Sequence, residues 1–462
     1  MSDQSLDRRG FVAGVLGASG VLALGSGAAV AQMRMLPSAK VDPTRCSTTP
    51  RPFKPGMDKR PITMRRTVEQ LAADSAWLAK MHAGYKWMRS LPASDPRSLV
   101  QQGNIHKIMC AGGPREVHQS DRFLAWHRCF VYFQERIAAY GSTGGVSLDP
   151  TFRLAVWDWE GATTTPTFPV AFTTGSLVDP NRQPTFSPGD GDITAALATN
   201  DVFTLYGNPV GGGGGSPVLE NASHGQIHVD TGFQTPPYHD MGALPTAALD
   251  PVFCAHHGNI DKVWAWWQQL HGNKTPNSTD PNTGQPYDPA WIKNVWYFYD
   301  YDGKCYSIGP ADVIDYRNNL RYVYPPAPGT RPIRVFPLAL ARAELRLPPE
   351  AANATAAPRP VSMVLRGVQV PAPGTGRFDL VATVNGRPRR VGHFALFSHP
   401  MTEGITTNVL ARIDPAAAPV LKSGASWRIV PERAGGTHQL FGVVPPAKGA
   451  VLQATSATLL VE

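Results

Sequence analysis

Apolar residues recur at helical spacing in three stretches of the first two thirds of this chain. From Thr67 to Met88, the positions Leu71, Trp77, Leu78, Met81, Tyr85 and Met88 predict one long amphipathic helix. A second helix is predicted from Phe123 to Ile137, with Phe130, Val131, Phe133 and Ile137 facing a core. A third begins after Asp250-Pro251 and runs through Asp261 into Val263, Trp264, Trp266, Trp267 and Leu270. Past Pro325, Pro326 and Pro328 the pattern changes to short β-like runs at Val361–Val370, Arg377–Asn385, Val391–Ser398, Trp427–Pro431 and Val451–Val461. Gly/Pro turns separate these runs, which predicts a β-sandwich. Residues 32–64 are Pro-rich and read as a wrapping arm. Asp179 to Gly215, with glycine at 211–215, reads as a long surface loop and not as a phosphate cradle, since no Lys-Ser/Thr follows it. The expected architecture is a mainly α domain over 32–328, its helices in a four-helix bundle with long loops, followed by a β-sandwich over 329–462.

The first 31 residues stand apart. Arg8-Arg9 precede an apolar Gly/Ala/Leu/Val run that ends in Ala29-Val30-Ala31, a twin-arginine export signal with a small-residue cleavage site. The expectation is a periplasmic or secreted protein without a membrane segment after cleavage. The remaining chain is long enough for more than one sizeable core. Its net charge of +8 comes without a long basic run, the densest cluster being Arg387 to Arg390, so nucleic-acid binding is not expected.

Histidine placement carries the chemistry. His257 and Asp261, in LDPVFCAHHGNID, stand one helical turn apart, which lets a carboxylate steady a metal-binding imidazole. His224 and His228, in NASHGQIHVD, repeat that spacing upstream. Earlier still, His106, His118 and His127 lie in QQGNIHKIMCAGGPREVHQSDRFLAWHRCF, so six of the thirteen histidines fall into two sets of three. One buried His is ordinarily a satisfied core residue; six in two sets are not. Imidazoles without a thiolate or carboxylate ligand suit copper or zinc, but a three-His zinc site uses one set and leaves the other unexplained. Two sets argue for two metal ions.

Three His ending in a WHR motif, then HxxxH, then DPxFxxHHxxxD, resembles the type 3 copper proteins of the tyrosinase, catechol oxidase and polyphenol oxidase family, over about residues 55–325. The resemblance implies two copper ions, one held by His106, His118 and His127 and the other by His224, His228 and His257, with His256 a neighbour of the site. It implies oxidation of o-diphenols, and of monophenols by hydroxylation, to o-quinones with O2. The other readings are a haemocyanin-like O2 carrier and a zinc-binding hydrolytic or structural protein.

The resemblance extends to smaller features. It implies a Cys110–His118 thioether and a proton-accepting Glu220 that orients a water. Leu244 falls at the gate position, where it would leave the entrance more open than Phe does. Gly225 and Val229 follow the first two ligands of the second set; hydroxylating relatives often carry Asn at the position of Gly225, so strong monophenol hydroxylation is not expected. Tyr322 and Tyr324 resemble the Tyr-x-Tyr motif closing this domain in plant enzymes. RFDLVATVNG and GHFALF resemble those enzymes' C-terminal domain, which shields the coppers, and Phe397 or Met401 would plug the site. With Cys110 so assigned, Cys46, Cys129, Cys254 and Cys305 allow three pairings. Cys129 and Cys254 read as core residues, which makes Cys46–Cys305 the pairing to test. The oligomeric state stays open, a homo-oligomer included.

Overall fold

The computed structural model describes residues 44–46, 48–110, 115–161, 164–209, 216–232 and 240–328, and in the C-terminal part 334–341, 344–346, 361–369, 376–384, 387–397, 406–414, 417, 426–431, 454 and 456–461. The export signal, the glycines at 211–215 and Met401 lie outside the described residues.

Capping residues decide where the helices begin. The pattern expected as one helix over Thr67–Met88 is two, α1 (Val68–Ala73) and α2 (Ser75–Ser90). Thr67 and Gln70 form a capping box on α1, and the Asp74 carboxylate accepts the Trp77 N–H and so starts a new helix where the first stops. Ser98 caps α3 (Leu99–Met109) in the same way. α4 (Phe123–Gly141) matches its expectation and is buried almost throughout, as is α8 (Val252–Leu270). α4 packs between α2 and α8.

The stretch expected to be a surface loop is largely interior. It contains α5 (Thr194–Ala198) and α6 (Val202–Tyr206), and residues 189–193 are buried. Proline and glycine there mark turns, but Leu197, Val202 and Leu205 bury apolar surface in the core and the buried aspartates offset their desolvation through tertiary partners. A π-helical turn, Glu220–His224, leads into α7 (Gly225–Thr231), with Ala222 off helical geometry at φ −105° and ψ −119°.

Short strands tie the arm to the helical domain. β1 (Arg51–Pro52) pairs with β4 (Cys305–Ile308), itself paired to β3 (Trp296–Tyr299), and β2 (Thr63–Met64) pairs with β5 (Tyr322–Val323). The Cys46–Cys305 disulfide closes the same seam, and Cys129 and Cys254 are buried thiols, as expected.

The C-terminal strands form one antiparallel sheet of eight: β6 (Arg334–Ala341), β7 (Glu344–Arg346), β8 (Val361–Gln369), β9 (Gly376–Val384), β10 (Arg387–Leu396), β11 (Thr406–Ile413), β12 (Ser426–Pro431) and β13 (Ser456–Val461). Their order is β12-β9-β10-β11-β8-β13-β6-β7, and β12 approaches β7, so the sheet curls back on itself. Alternate residues such as Met363, Leu365, Leu380, Val409 and Leu459 fill its interior. Three strands, β6, β7 and β11, went unread in the sequence.

Candidate metal centre

Six imidazoles converge where α3, the loop before α4, α4, the π turn with α7, and α8 meet. His106, His118, His127, His224, His228 and His257 are all buried. Within the first set the ring centroids are 4.9–5.7 Å apart, and within the second 4.6–5.6 Å. His127 and His257 stack across the sets at 4.2 Å, which joins the two trios into one pocket.

Carbonyl groups set the tautomers. His127 Nδ1 lies 2.8 Å from the Phe123 carbonyl, His224 Nδ1 3.0 Å from that of Glu220, and His228 Nδ1 3.0 Å from that of Met241. A carbonyl only accepts, so each Nδ1 donates and each Nε2 presents a bare lone pair inward. The Nε2 atoms of His118, His127 and His224 and Nδ1 of His257 accept or donate no hydrogen bond, and His118 Nδ1 lies 3.4 Å from the Glu116 carboxylate. Burial, then mutual repulsion, drives the pKa of His106, His127, His224, His228 and His257 well below the ordinary value and keeps these rings neutral. Neutral, partnerless, buried imidazoles are what a metal ion satisfies, and this donor set fits a binuclear copper centre.

His256 lies among the second set, yet its contacts give it another role. The Trp159 indole, which can only donate, gives its N–H to His256 Nδ1 at 3.0 Å. The proton of this neutral ring therefore sits on Nε2, which removes that lone pair from coordination; burial pulls its pKa down to about 3.

Asp261 does not steady His257. One carboxylate oxygen takes the Arg128 guanidinium, and the other takes Arg65 at 3.2 Å and the hydroxyls of Tyr322 and Tyr324 at 2.6 and 2.5 Å. One helical turn separates the two side chains, but the two arginines supply a stronger electrostatic partner. Asp261 thus ties α8 to α4, to the arm and to the closing Tyr-x-Tyr segment, a function the sequence motif does not reveal. Burial opposes its ionisation, but Arg128 and Arg65 outweigh that and hold its pKa below the usual carboxylate value.

Glu220 is wholly buried, and both its oxygens accept the Gln119 N–H, at 2.7 and 2.9 Å. That contact pins the loop carrying His118, where Gln119 has a positive φ of 54°. Burial raises the Glu220 pKa well above normal. The Cys110 sulfur sits 3.4 Å from His106 Nδ1 and donates to the His106 carbonyl at 2.8 Å; donor atoms of His106, Cys110 and His118 lie within 4.8 Å of one another. Leu244 and Val229 are buried.

The C-terminal sheet packs against the second histidine set. Phe397, just past β10, stacks on His228 at 4.3 Å and 8°. A Cβ at Gly225 would come within 3.2 Å of the Phe397 Cβ, so glycine permits the close approach. Beside this contact, cross-strand neighbours His393 and Arg412 reach Asp190 at 3.0 Å and Asp192 at 2.7 Å. Of these residues the sequence reading singled out only Phe397.

Comparison with known proteins agrees with this geometry. The common central domain of tyrosinase matches residues 96–206 and 182–270, and the polyphenol oxidase middle domain matches 286–331. Aureusidin synthase of Antirrhinum majus is 31 % identical over 304 residues, covering 57 % of this chain and 52 % of its own. A chloroplastic polyphenol oxidase of Vitis vinifera is 29 % identical over 383 residues, covering 71 % and 60 %. The chain therefore spans roughly half to three fifths of the length of these curated relatives. Latent apple tyrosinase shares the fold, with a TM-score of 0.58 at 19 % identity over 89 % of this chain and 96 % of that one. With two family domains spanning both histidine sets and the closing tyrosines, the chain belongs to the tyrosinase and polyphenol oxidase family of type 3 copper proteins.

Proposed function

We propose that this protein uses copper and O2 to oxidise o-diphenols to o-quinones, with His106, His118 and His127 holding one copper and His224, His228 and His257 the other. The single observation that carries the reading is the set of inward, partnerless imidazole nitrogens in one buried pocket. When bound, the copper pair supplies the exchange of two electrons between diphenol and O2. The chain's own residues fix the imidazoles: the carbonyls of Phe123, Glu220 and Met241 hold three rings in one tautomer, and Glu220 holds the His118 loop. The closeness of Cys110 to His106 and His118 supports a thioether to His118 that would restrain that loop residue. The raised pKa of Glu220 limits it as a base for a phenolic proton, and Gly225 adds no amide beside it, which together support weak monophenol hydroxylation. Copper-dependent oxygen uptake with catechol, and little with tyrosine, is the expected result; no uptake with either substrate in the copper-loaded protein freed of its C-terminal domain would overturn the reading.

We read the ligand-bearing helices as a four-helix bundle over 32–328 and the curled sheet as the two faces of a β-sandwich over 329–462. This second domain serves as a lid. Phe397 occupies the face of His228 that an aromatic substrate needs, and the Arg412–Asp192 and His393–Asp190 pairs hold it there. The Arg8-Arg9 segment supports export by the twin-arginine route. Among the described residues no helix is long and apolar enough to cross a membrane. Replacing both arginines by lysine is expected to retain the protein in the cytoplasmic fraction.

A further inference from the structure

Among the described residues nine tryptophans are buried. Seven of them give the indole N–H to a named acceptor: a backbone carbonyl for Trp77, Trp157, Trp266, Trp267 and Trp291, the Tyr206 hydroxyl for Trp264, and His256 for Trp159. The other two, Trp126 of α4 and Trp296 of β3, give theirs to no group of the protein, and both stand in the wall of one cavity of about 310 Å³. An indole can only donate, and a buried donor left without an acceptor costs about 1–3 kcal/mol. Neither nitrogen is among the sealed polar atoms, so both open on the space in front of them. The cavity contains none of the six imidazoles. Ile105 and Met109 of α3 and Tyr297 of β3 add apolar and aromatic surface, while Arg45, Arg115 and Arg122 at its edge have partners of their own, so charge does not mark the site.

We propose that this cavity is a binding site for a neutral, flat aromatic carbonyl compound, separate from the metal pocket. The volume falls at the low end of the roughly 300–1,000 Å³ typical of small-ligand clefts, enough for one or two fused rings. A carbonyl oxygen has two lone pairs and supplies the acceptor that the two indole N–H groups lack. The Tyr297 ring and the Met109 thioether suit an aromatic neighbour, and Ile105 adds apolar contact. Val295, 54 % exposed, stands at the rim as the way in. The Trp126 ring is 4.8 Å from His127 and 5.9 Å from His106, so the site backs directly onto the first metal half.

The test is calorimetric titration of the full chain, copper-loaded and metal-stripped, with coumarin and with 2H-chromene, which keeps the two rings and lacks the carbonyl. One coumarin is expected to bind per chain with the same affinity in both forms, and 2H-chromene to bind about tenfold more weakly. Trp296→Phe keeps a ring and removes one donor; it is expected to weaken coumarin several-fold while leaving 2H-chromene and the copper content unchanged. Val295→Trp, which narrows only the rim, is expected to weaken both probes without disturbing the fold, which keeps the test decisive should the Trp296 variant misfold. Binding that requires copper, equal affinity for coumarin and 2H-chromene, or coumarin binding untouched by Trp296→Phe or by Val295→Trp would overturn the proposal, as would no binding at millimolar coumarin.

Discussion

The helical domain is cross-tied by buried charge, whereas the sheet domain is held by apolar side chains and meets the helical core through Phe397, Val364, Ala395 and Leu410, an Arg412–Asp192 ion pair and a His393–Asp190 contact. In the former, Asp261, Glu135, Asp58 and Asp300 each sit against arginines 0–5 % exposed, linking residues far apart in the chain. In the latter, the Arg390–Asp379 pair lies at the surface and the interior is Val, Leu, Phe, Met and Ile. A pocket that must hold bare imidazoles nitrogen-inward needs elements that do not shift. On the lid reading, the Phe397 ring is the contact that must open, while the buried Arg412–Asp192 pair is the one that resists opening.

Ligand removal gives the largest expected effect. His257→Ala or His127→Ala should lower catechol oxidation about 100-fold or more and reduce the copper content measured by elemental analysis. Full copper content in either variant would mean that the pocket is not built as described.

Breaking the charge network comes next. Asp261→Asn leaves Arg65 and Arg128 buried with one anion fewer, and should destabilise the protein by about 3–5 kcal/mol in urea unfolding. A change below about 1 kcal/mol would remove the contrast between the two regions.

Asp121 belongs to the buried carboxylates of the helical domain that burial leaves under-compensated. Burial, then Asp288, lifts its pKa from 3.8 to about 8. With the folded value above the unfolded one, the stabilising protonated form is fully present below about pH 4 and its contribution is lost as pH rises through 8. Asp121→Asn should therefore gain stability over the parent as pH rises from 4 to 8, by about 1–3 kcal/mol at the upper end. Melting curves at pH 5 and pH 8 that shift equally would refute the assignment.

The smallest effect belongs to the cover. Phe397→Ala removes a stacked ring worth about 1 kcal/mol, so the intact chain should oxidise catechol several-fold faster, and Arg412→Ala should add to this. Rates identical to the parent's would show that Phe397 is not what blocks the site.

The two histidine sets were legible because their signal is local: i, i+4 pairs and short motifs are properties of a single helix or turn. The helix start at Thr67 was local too, yet the cap at Asp74 was passed over because the apolar pattern runs unbroken across it, and α3 with its Ser98 cap went unread. The partners of Asp261 were not legible, since Tyr322, Tyr324, Arg128 and Arg65 lie 61, 63, 133 and 196 residues away and nothing in the spacing announces them. The interior position of residues 189–193 was hidden for the same reason, because Arg412 and His393, which accompany Asp192 and Asp190, come from the other domain.

By itself, then, the sequence determined which imidazoles belong together and where the helical part yields to strands. Tertiary structure decided which carboxylate serves which cation, that the second domain curls as one continuous sheet, and that Phe397 lies on His228. Helical periodicity and ligand spacing are written within a few residues, whereas charge pairing and the closing of one domain on another depend on which distant groups first come within reach and shed their water together.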